Sequence, residues 1–404
     1  MAITIEQAPD SITPVYNKVE YLISSTNSGN TDFSYLVDIY INGSGTKTAR
    51  LRIPIRPSDS YGIVDIHRVL ETTLTSDVGD TTSILGNNDA PNHALTYIVK
   101  IGEEYDPGTG IITQYPPTGG GIDSTRTAIN ASLEKQEWID WDWAEYNTGQ
   151  ATDKYLTNSP SSRNVSIEDH GWLYHSNSLI HDRYNVETYD SSGASLGSWV
   201  ITASSTSVIT YVASAPASLN LIDNANLSTG VQPIITTSTG SYSITPHNVV
   251  LARGETKTFV IKEPCKFNAN NLIFLNKLGG FDHFTFYNGD SSSYSIQRKT
   301  MKVNIDPVSG TSISHSMQDR EKVQYYTKQT ETIKLMSDWI TEEEDAWLLE
   351  LIESPEIYLQ NGDDLIAVSN IKTNSHTKKK AAREKLFRLD VELELGYDNY
   401  RQRG

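Results

Sequence analysis

Three groups of residues in this chain have side chains that could do chemistry. The densest is acidic and aromatic: Glu137, Asp140, Asp142 and Glu145 lie among Trp138, Trp141 and Trp143. Two carboxylates across a sugar, with aromatic platforms beneath it, are what glycoside hydrolysis requires. A helix that buries Trp138 and Trp141 on one face and leaves its acids in water produces the same pattern without any reaction. Catalytic carboxylates usually come from separate strands, so the helix-face reading is preferred.

The second group is His170, His175 and His181 with Asp169 and Asp182. Zinc sites favour tight pairs such as histidines at i and i+4 of a helix. Here the spacings are five and six, and Gly171 interrupts any helix, so surface or core histidines are expected rather than a metal site. Cys265, the only cysteine, forms no intrachain disulfide. Within Pro264-Cys265-Lys266-Phe267 it reads as a small buried residue at a strand start, not as a nucleophile. Leu278-Gly279-Gly280-Phe281 lacks the Lys-Ser/Thr of a phosphate-binding loop and the glycine spacing of a dinucleotide fold. Asn361-Gly362-Asp363-Asp364 carries oxygen donors of the kind Ca²⁺ takes, yet reads as a plain turn. No catalytic residue, metal or cofactor is therefore expected, and the chain is not expected to be an enzyme. Trp172, Tyr174, Trp199 and Tyr211 are the candidate glycan-contact residues, because aromatic faces stack on sugars as readily as they fill a core.

The elements that must position these residues are mostly strands. With 404 residues the chain exceeds one ordinary domain, and 37% hydrophobic content with 22 Tyr, 8 Phe and 7 Trp fits a β-rich chain with thin sheets and many turns. A net charge of −17 argues against a duplex-DNA or RNA partner, since phosphate backbones need basic neutralisation. The basic run Lys378 to Lys380, with Arg383 and Lys385, reads as a solvated loop and a minor interface candidate. Met1 to Asp10 has no signal-peptide character, and no stretch approaches the ~20 apolar residues that span a bilayer. Synthesis in a cytoplasm without membrane insertion is expected, so the sequons at Asn42, Asn130, Asn164 and Asn226 carry no weight.

Residues 1–115 read as a β-rich domain. Phe33, Tyr35, Val37, Ile39 and Ile41 alternate up to the turn Asn42-Gly43-Ser44-Gly45. Leu51, Ile53 and Ile55 mark the return strand, with Pro54 placing it at an edge or bulge. Ile63 to Leu74 has the spacing of a short helix, and Tyr97, Val99 and Ile101 that of a further strand. Residues 116–165 form a linker and a Trp-rich helical segment, from about Thr127 to Tyr146. Residues 166–264 are Ser/Thr-rich, with turns at the spacing of a β-sandwich. Val249 to Ala252 and Thr256 to Ile261 read there as a hairpin turned at Arg253-Gly254.

Residues 265–404 form a C-terminal β-rich domain. Thr341 and Glu344 predict a capping box opening a helix over 341–354, with Trp347, Leu348, Leu351 and Ile352 as its buried stripe. Phe387, Leu389, Val391, Leu393 and Leu395 alternate with Arg388, Asp390, Glu392 and Glu394, as in a half-buried strand. Met301 to Ile305 reads as a strand, and Gln318 to Lys334 as a long polar strand or arm. The fold class expected is mainly β: a multidomain β-sandwich architecture with a few short helices, and α+β elements in the N- and C-terminal parts. If the central sandwich is an insertion in a split domain, residues 1–115 would pack with 265–404.

Several segments together resemble a known family. The run from Asn271 to Phe286 (Asn-Leu-Ile-Phe-Leu-Asn-Lys-Leu-Gly-Gly-Phe-Asp-His-Phe-Thr-Phe) follows Cys265-Lys266-Phe267. Ile101-Gly102-Glu103-Glu104-Tyr105 lies upstream, and Trp339-Ile340-Thr341-Glu342 and Glu353 to Leu359 lie downstream. This pattern resembles virion structural proteins, tail-associated, of tailed bacteriophages infecting Bacteroidetes-type bacteria. The resemblance implies a structural subunit in a distal tail, baseplate or adaptor ring, with itself in a homo-oligomeric ring and other virion proteins as partners. It implies localisation to the virion and carries no catalytic residues. A head or neck structural protein, and a carbohydrate-binding adhesin contacting host-surface glycans, are the alternative expectations.

Overall fold

A computed structural model describes residues 3–82, 87–117, 119–176, 183–202, 207–263, 268–303, 308–313, 315–318, 320–372 and 387–401. The expected fold class holds: the chain is mainly β, built from several sheets with a few short helices. It divides into two compact units, the first Met1–Ile261 with Leu275–Asp282, the second Lys262–Phe274 with His283–Gly404.

In the first unit, the alternating strand Thr31–Ile41 lies between Ala94–Asp106 and the edge strand Ala49–Pro54. Val37 faces Ile101 and Ile39 faces Val99 across the ladder, so the two apolar faces coincide in one core. Pro54 lies on the outermost strand, where a missing amide costs no ladder bond. The turn after Ile41 uses positive φ at Asn42 (51°) and Gly43 (67°). A second, three-stranded sheet (Ile3–Gln7, Glu20–Ser25, Gly62–Asp65) contributes Tyr21, Ile23 and Val64 to the same core.

Two expected helices are shorter than their spacing implied. Over 63–74 the chain first forms the strand Gly62–Asp65, and only His67–Glu71 is helical. Ile63 faces out while Val64 is buried, a period of two dictated by pairing with Glu20–Ser25. Over 127–146, Arg126–Ile129 is a strand paired with Ala94–Asp106 and with Ile12–Pro14. The helix is only Lys135–Ile139, and Trp143–Tyr146 is a separate 3-10 turn. Tertiary ladder bonds outweigh local spacing in both places.

The central part is sandwich-like. A six-stranded sheet runs in the order Ser162–Val165, Lys257–Ile261, Ser241–His247, Arg183–Tyr189, Ser195–Thr202, Leu227–Thr229. Its Tyr184, Val186, Tyr242, Ile244 and Phe259 share a core with Leu173 and Val212 of a three-stranded sheet. That smaller sheet is Trp172–Ser176, Ile209–Ala213 and Asn87–Asp89. The expected hairpin of Val249 to Ala252 with Thr256 to Ile261 is corrected: Lys257–Ile261 pairs with Ser241–His247, Tyr242 opposite Phe259. Val249 to Leu251 is the connecting turn, in which the Asn248 carboxamide accepts the amides of Val250 (2.9 Å) and Leu251 (2.7 Å).

The Asn276–Gly280 turn also belongs to the first unit. Asn276 Oδ1 accepts the amides of Leu278 and Gly280 at 3.0 Å each, and Gly279 sits at φ +84°. The Gly279 carbonyl accepts from His93 Nδ1 at 2.5 Å, while His93 Nε2 accepts the Asp77 amide at 2.6 Å. The fully buried His93 ring thus ties this turn to the chain at Asp77.

The second unit is organised by one long sheet, in the order Phe281–Phe286, Asn270–Leu275, Ile357–Asn361, Asp364–Ile371, Asp390–Leu395, Lys322–Met336, Asp290–Lys302. Val391, Leu393 and Leu395 are buried and alternate with half-buried Glu392 and Glu394, as the sequence pattern requires. The strand starts at Asp390; Phe387 instead makes an isolated bridge to Ile340. The capping box is present: Glu344 donates its amide to Thr341 Oγ1 (3.2 Å), and Thr341 donates its own to Glu344 Oε2 (2.8 Å). The expected single helix is split into Glu342–Trp347 and Leu349–Glu353, with Trp347, Leu348 and Leu351 still buried. Asn361 and Asp364 pair across Gly362-Asp363, so the acidic quartet is a hairpin turn.

Candidate functional site

Two surfaces stand out, and the sequence singled out only one of them. The first is a cleft in the first unit of about 290 Å³, lined by Glu137, Asp140, Asp142 and Glu145 with Trp141 and Tyr146. The structure therefore brings the four carboxylates together. Each already has a local task. Glu137 closes a capping box by accepting the Glu134 amide at 2.9 Å, and Asp140 accepts from Gln136 Nε2 at 2.7 Å. Asp142 caps the 3-10 turn through the Ala144 amide (2.9 Å), and Glu145 pairs with Lys154 at 2.6 Å. Trp141 is anchored by its indole N–H on the Ile12 carbonyl (3.1 Å), and its ring stacks on Tyr146 at 5.5 Å. Trp138 and Trp143 are half-buried beside it. All four acids are exposed, whereas a general acid for glycoside cleavage is held in apolar surroundings. An exposed acidic rim over an aromatic floor is suited to attracting cationic groups.

Among the described residues the histidine group is not assembled into a metal-binding cluster. His170 meets Ser218 Oγ at 3.1 Å. His175, buried, contacts Tyr184 Oη, Thr210 Oγ1 (2.9 Å) and the Ser176 carbonyl (2.9 Å). Asp169 accepts the Ser166 amide, while His181 and Asp182 lie outside the described residues. Among the described residues no group of three or more His, Cys, Asp or Glu side chains could hold a metal ion. Cys265 and its neighbours 264–267, and the basic run at Lys378, Lys379, Lys380, Arg383 and Lys385, also lie outside the described residues.

Of the aromatic residues named for glycans, Trp172, Tyr174 and Tyr211 are buried. Tyr174 donates its hydroxyl to the Asp77 carbonyl at 2.7 Å and packs against Tyr211 and His93, both at 5.2 Å. Trp199 is half-buried, hydrogen-bonded to the Val231 carbonyl (2.9 Å), and a Cβ at Gly197 would lie 2.6 Å from its ring. None of the three buried rings offers a face to a sugar.

The second surface was missed by sequence reasoning, apart from its C-terminal end at Met301. It is the strand Asp290–Lys302, whose 13 residues are all exposed. Lys322–Met336 pairs with one side of it along its whole length, and among the described residues it ends the sheet on the other. Its register places Ser292 opposite Ile333, Tyr294 opposite Glu331 and Ile296 opposite Gln329. Tyr294 and Ile296 thus extend the core-facing side of the sheet beyond its core, 54% and 44% exposed. The weak alternation Tyr294-x-Ile296 was the available signal, masked by Ser291, Ser292, Ser293 and Ser295. In the first unit, Val249, Val250 and Leu251 form an apolar turn tip exposed by 71%, 78% and 56%.

No protein-family model and no curated protein matches this chain. Among the described residues no helix is long and apolar enough to cross a membrane.

Proposed function

We propose that this chain is a non-catalytic structural subunit of a tailed-phage virion, a component of a distal tail, baseplate or adaptor ring held by protein–protein contacts. The observation that carries the assembly part is the open edge strand Asp290–Lys302. Proteins guard long edges with short strands, charged side chains, bulges, prolines or cover, because unpaired N–H and C=O groups template further pairing. This edge is 13 residues long and contains no proline; its charges are confined to Asp290 and the Arg298–Lys302 end, and it displays Tyr294, Ile296 and Met301. The apolar tip at Val249 to Leu251 adds a second surface of the kind that association covers. The resemblance of residues 265–403 to tail-associated proteins supplies the virion setting.

The test is light scattering over a concentration series, together with mass spectrometry of purified particles. A discrete oligomer and presence in the particle are expected. A monomer at every concentration that is also absent from particles would overturn the reading.

A further inference from the structure

The edge strand of the second unit carries its charges in an unusual order. Asp290 stands at one end, and Arg298, Lys299 and Lys302 at the other, with Ile296 at the centre of the 13 residues. The chain as a whole has a net charge of −17, so this cationic end is a local reversal. At ~3.4 Å per residue the strand offers roughly 44 Å of unpaired backbone. The irregularity in its ladder falls between Lys299 and Thr300, where the partner strand carries the extra residue, Tyr325; the edge strand itself runs on without a skipped position.

We infer that Asp290–Lys302 pairs antiparallel with the same strand of a second copy of this chain, about a two-fold axis at Ile296. This contact rests on the assembly reading above; being isologous it joins two copies as a pair, and a ring needs a second, heterologous contact besides it. In that register Asp290 of each copy meets Lys302 of the other, giving an ion pair at both ends. Tyr294 meets Arg298, a cation over an aromatic face, again twice. Ile296 meets its own equivalent, and no cation stands opposite a cation.

The alternatives are worse for stated reasons. A parallel arrangement sets Lys302 against Lys302 and Arg298 against Arg298, which is destabilising for residues directly opposite. Moving the axis toward Thr300 sets Lys302 against Arg298. Moving it to Ser295 or Gln297 removes the Asp290–Lys302 pair. Self-complementarity in one register is what an isologous two-fold contact requires. Unpaired backbone groups along the edge become ladder bonds, and the apolar side chains of the two copies cover one another.

The test uses single cysteines in a full chain carrying Cys265→Ser. Ile296→Cys is expected to give a disulfide-linked dimer on mild oxidation. Asp290→Cys and Lys302→Cys are each expected to give none alone, because their equivalents lie far apart, and to cross-link when the two chains are mixed. In a separate series, Asp290→Lys and Lys302→Asp are each expected to weaken self-association about tenfold, two ion pairs becoming two repulsions. The combined reversal is expected to restore it to within about threefold of the unaltered chain. Asp290, Ile296 and Lys302 are exposed, so thermal unfolding by circular dichroism unchanged from the Cys265→Ser parent is the control for folding.

Self-cross-linking of Asp290→Cys as efficient as that of Ile296→Cys would overturn the register. A combined reversal weaker than either single one would overturn the pairing. An oligomeric chain indifferent to both series would defeat this contact and leave the assembly reading standing. A chain monomeric at all concentrations and absent from particles would defeat both.

Discussion

At the scale of single residues, the backbone decides more than the reactive side chains do. Gly279 combines a left-handed conformation (φ +84°) with a site where a Cβ would press onto the Asn130 carbonyl oxygen, well inside contact distance. Neither backbone can yield cheaply, because Asn276 and His93 already bind this turn. Gly279→Ala is expected to cost roughly 2–4 kcal/mol, the sum of positive-φ strain and a backbone clash, read as a fall in unfolding midpoint. An unchanged midpoint would show that the turn relaxes freely. The glycine pair in Leu278-Gly279-Gly280-Phe281 stood out in the sequence, but the partner of its turn was not legible: nothing local links residue 279 to residue 93 or 130. The acidic group Glu137 to Glu145 was legible as a cluster, and its division into caps and pairs followed only once the helix was seen to end at Ile139.

At the scale of elements, signals complete within a few residues were readable, and those that depend on a distant partner were not. Thr341 and Glu344 satisfy each other across three residues, so their capping box could be read directly. Thr341→Ala is expected to cost about 1 kcal/mol, with Thr341→Ser retaining most of it, measured by urea unfolding with unchanged slope. An Ala variant as stable as the parent would mean the cap is redundant with Trp347 and Leu351 packing. The strand Asp390–Leu395 announced itself by alternation because one of its faces is core. Asp290–Lys302 could not, since both its faces are wet and its ladder partner among the described residues lies tens of residues away. Ile63 to Leu74 misled for a related reason: apolar residues at helical spacing include Ile63, which is exposed on a strand. Periodicity reports burial, and where an element is exposed throughout there is nothing for it to report.

At the scale of the whole molecule, buried tyrosines are a large titratable part of the interior beside buried carboxylates and histidines. Burial pushes Tyr97 up to about 12 and raises Tyr21, Tyr155 and Tyr184 further above the ordinary value. An unfolded chain gives up these protons first, near pH ~10. The stability they confer is therefore complete below that pH and is lost as pH rises toward the raised values. Alkaline titration followed by tyrosinate absorbance is expected to show exposed tyrosines ionising reversibly near ~10, and the buried set only as near-UV dichroism collapses. A single reversible phase with the dichroism retained would contradict the burial of these rings. One last feature bears on how the chain is made. The first compact unit ends its main run at Ile261 but also takes in Leu275–Asp282. During translation the rings of His93 and Tyr174 therefore wait without their covering turn until residue 282 has left the ribosome. At ~5–20 residues per second that delay is roughly 1–4 s, long against most folding steps. In a crowded polysome it is the interval in which a nascent chain is most open to its neighbours.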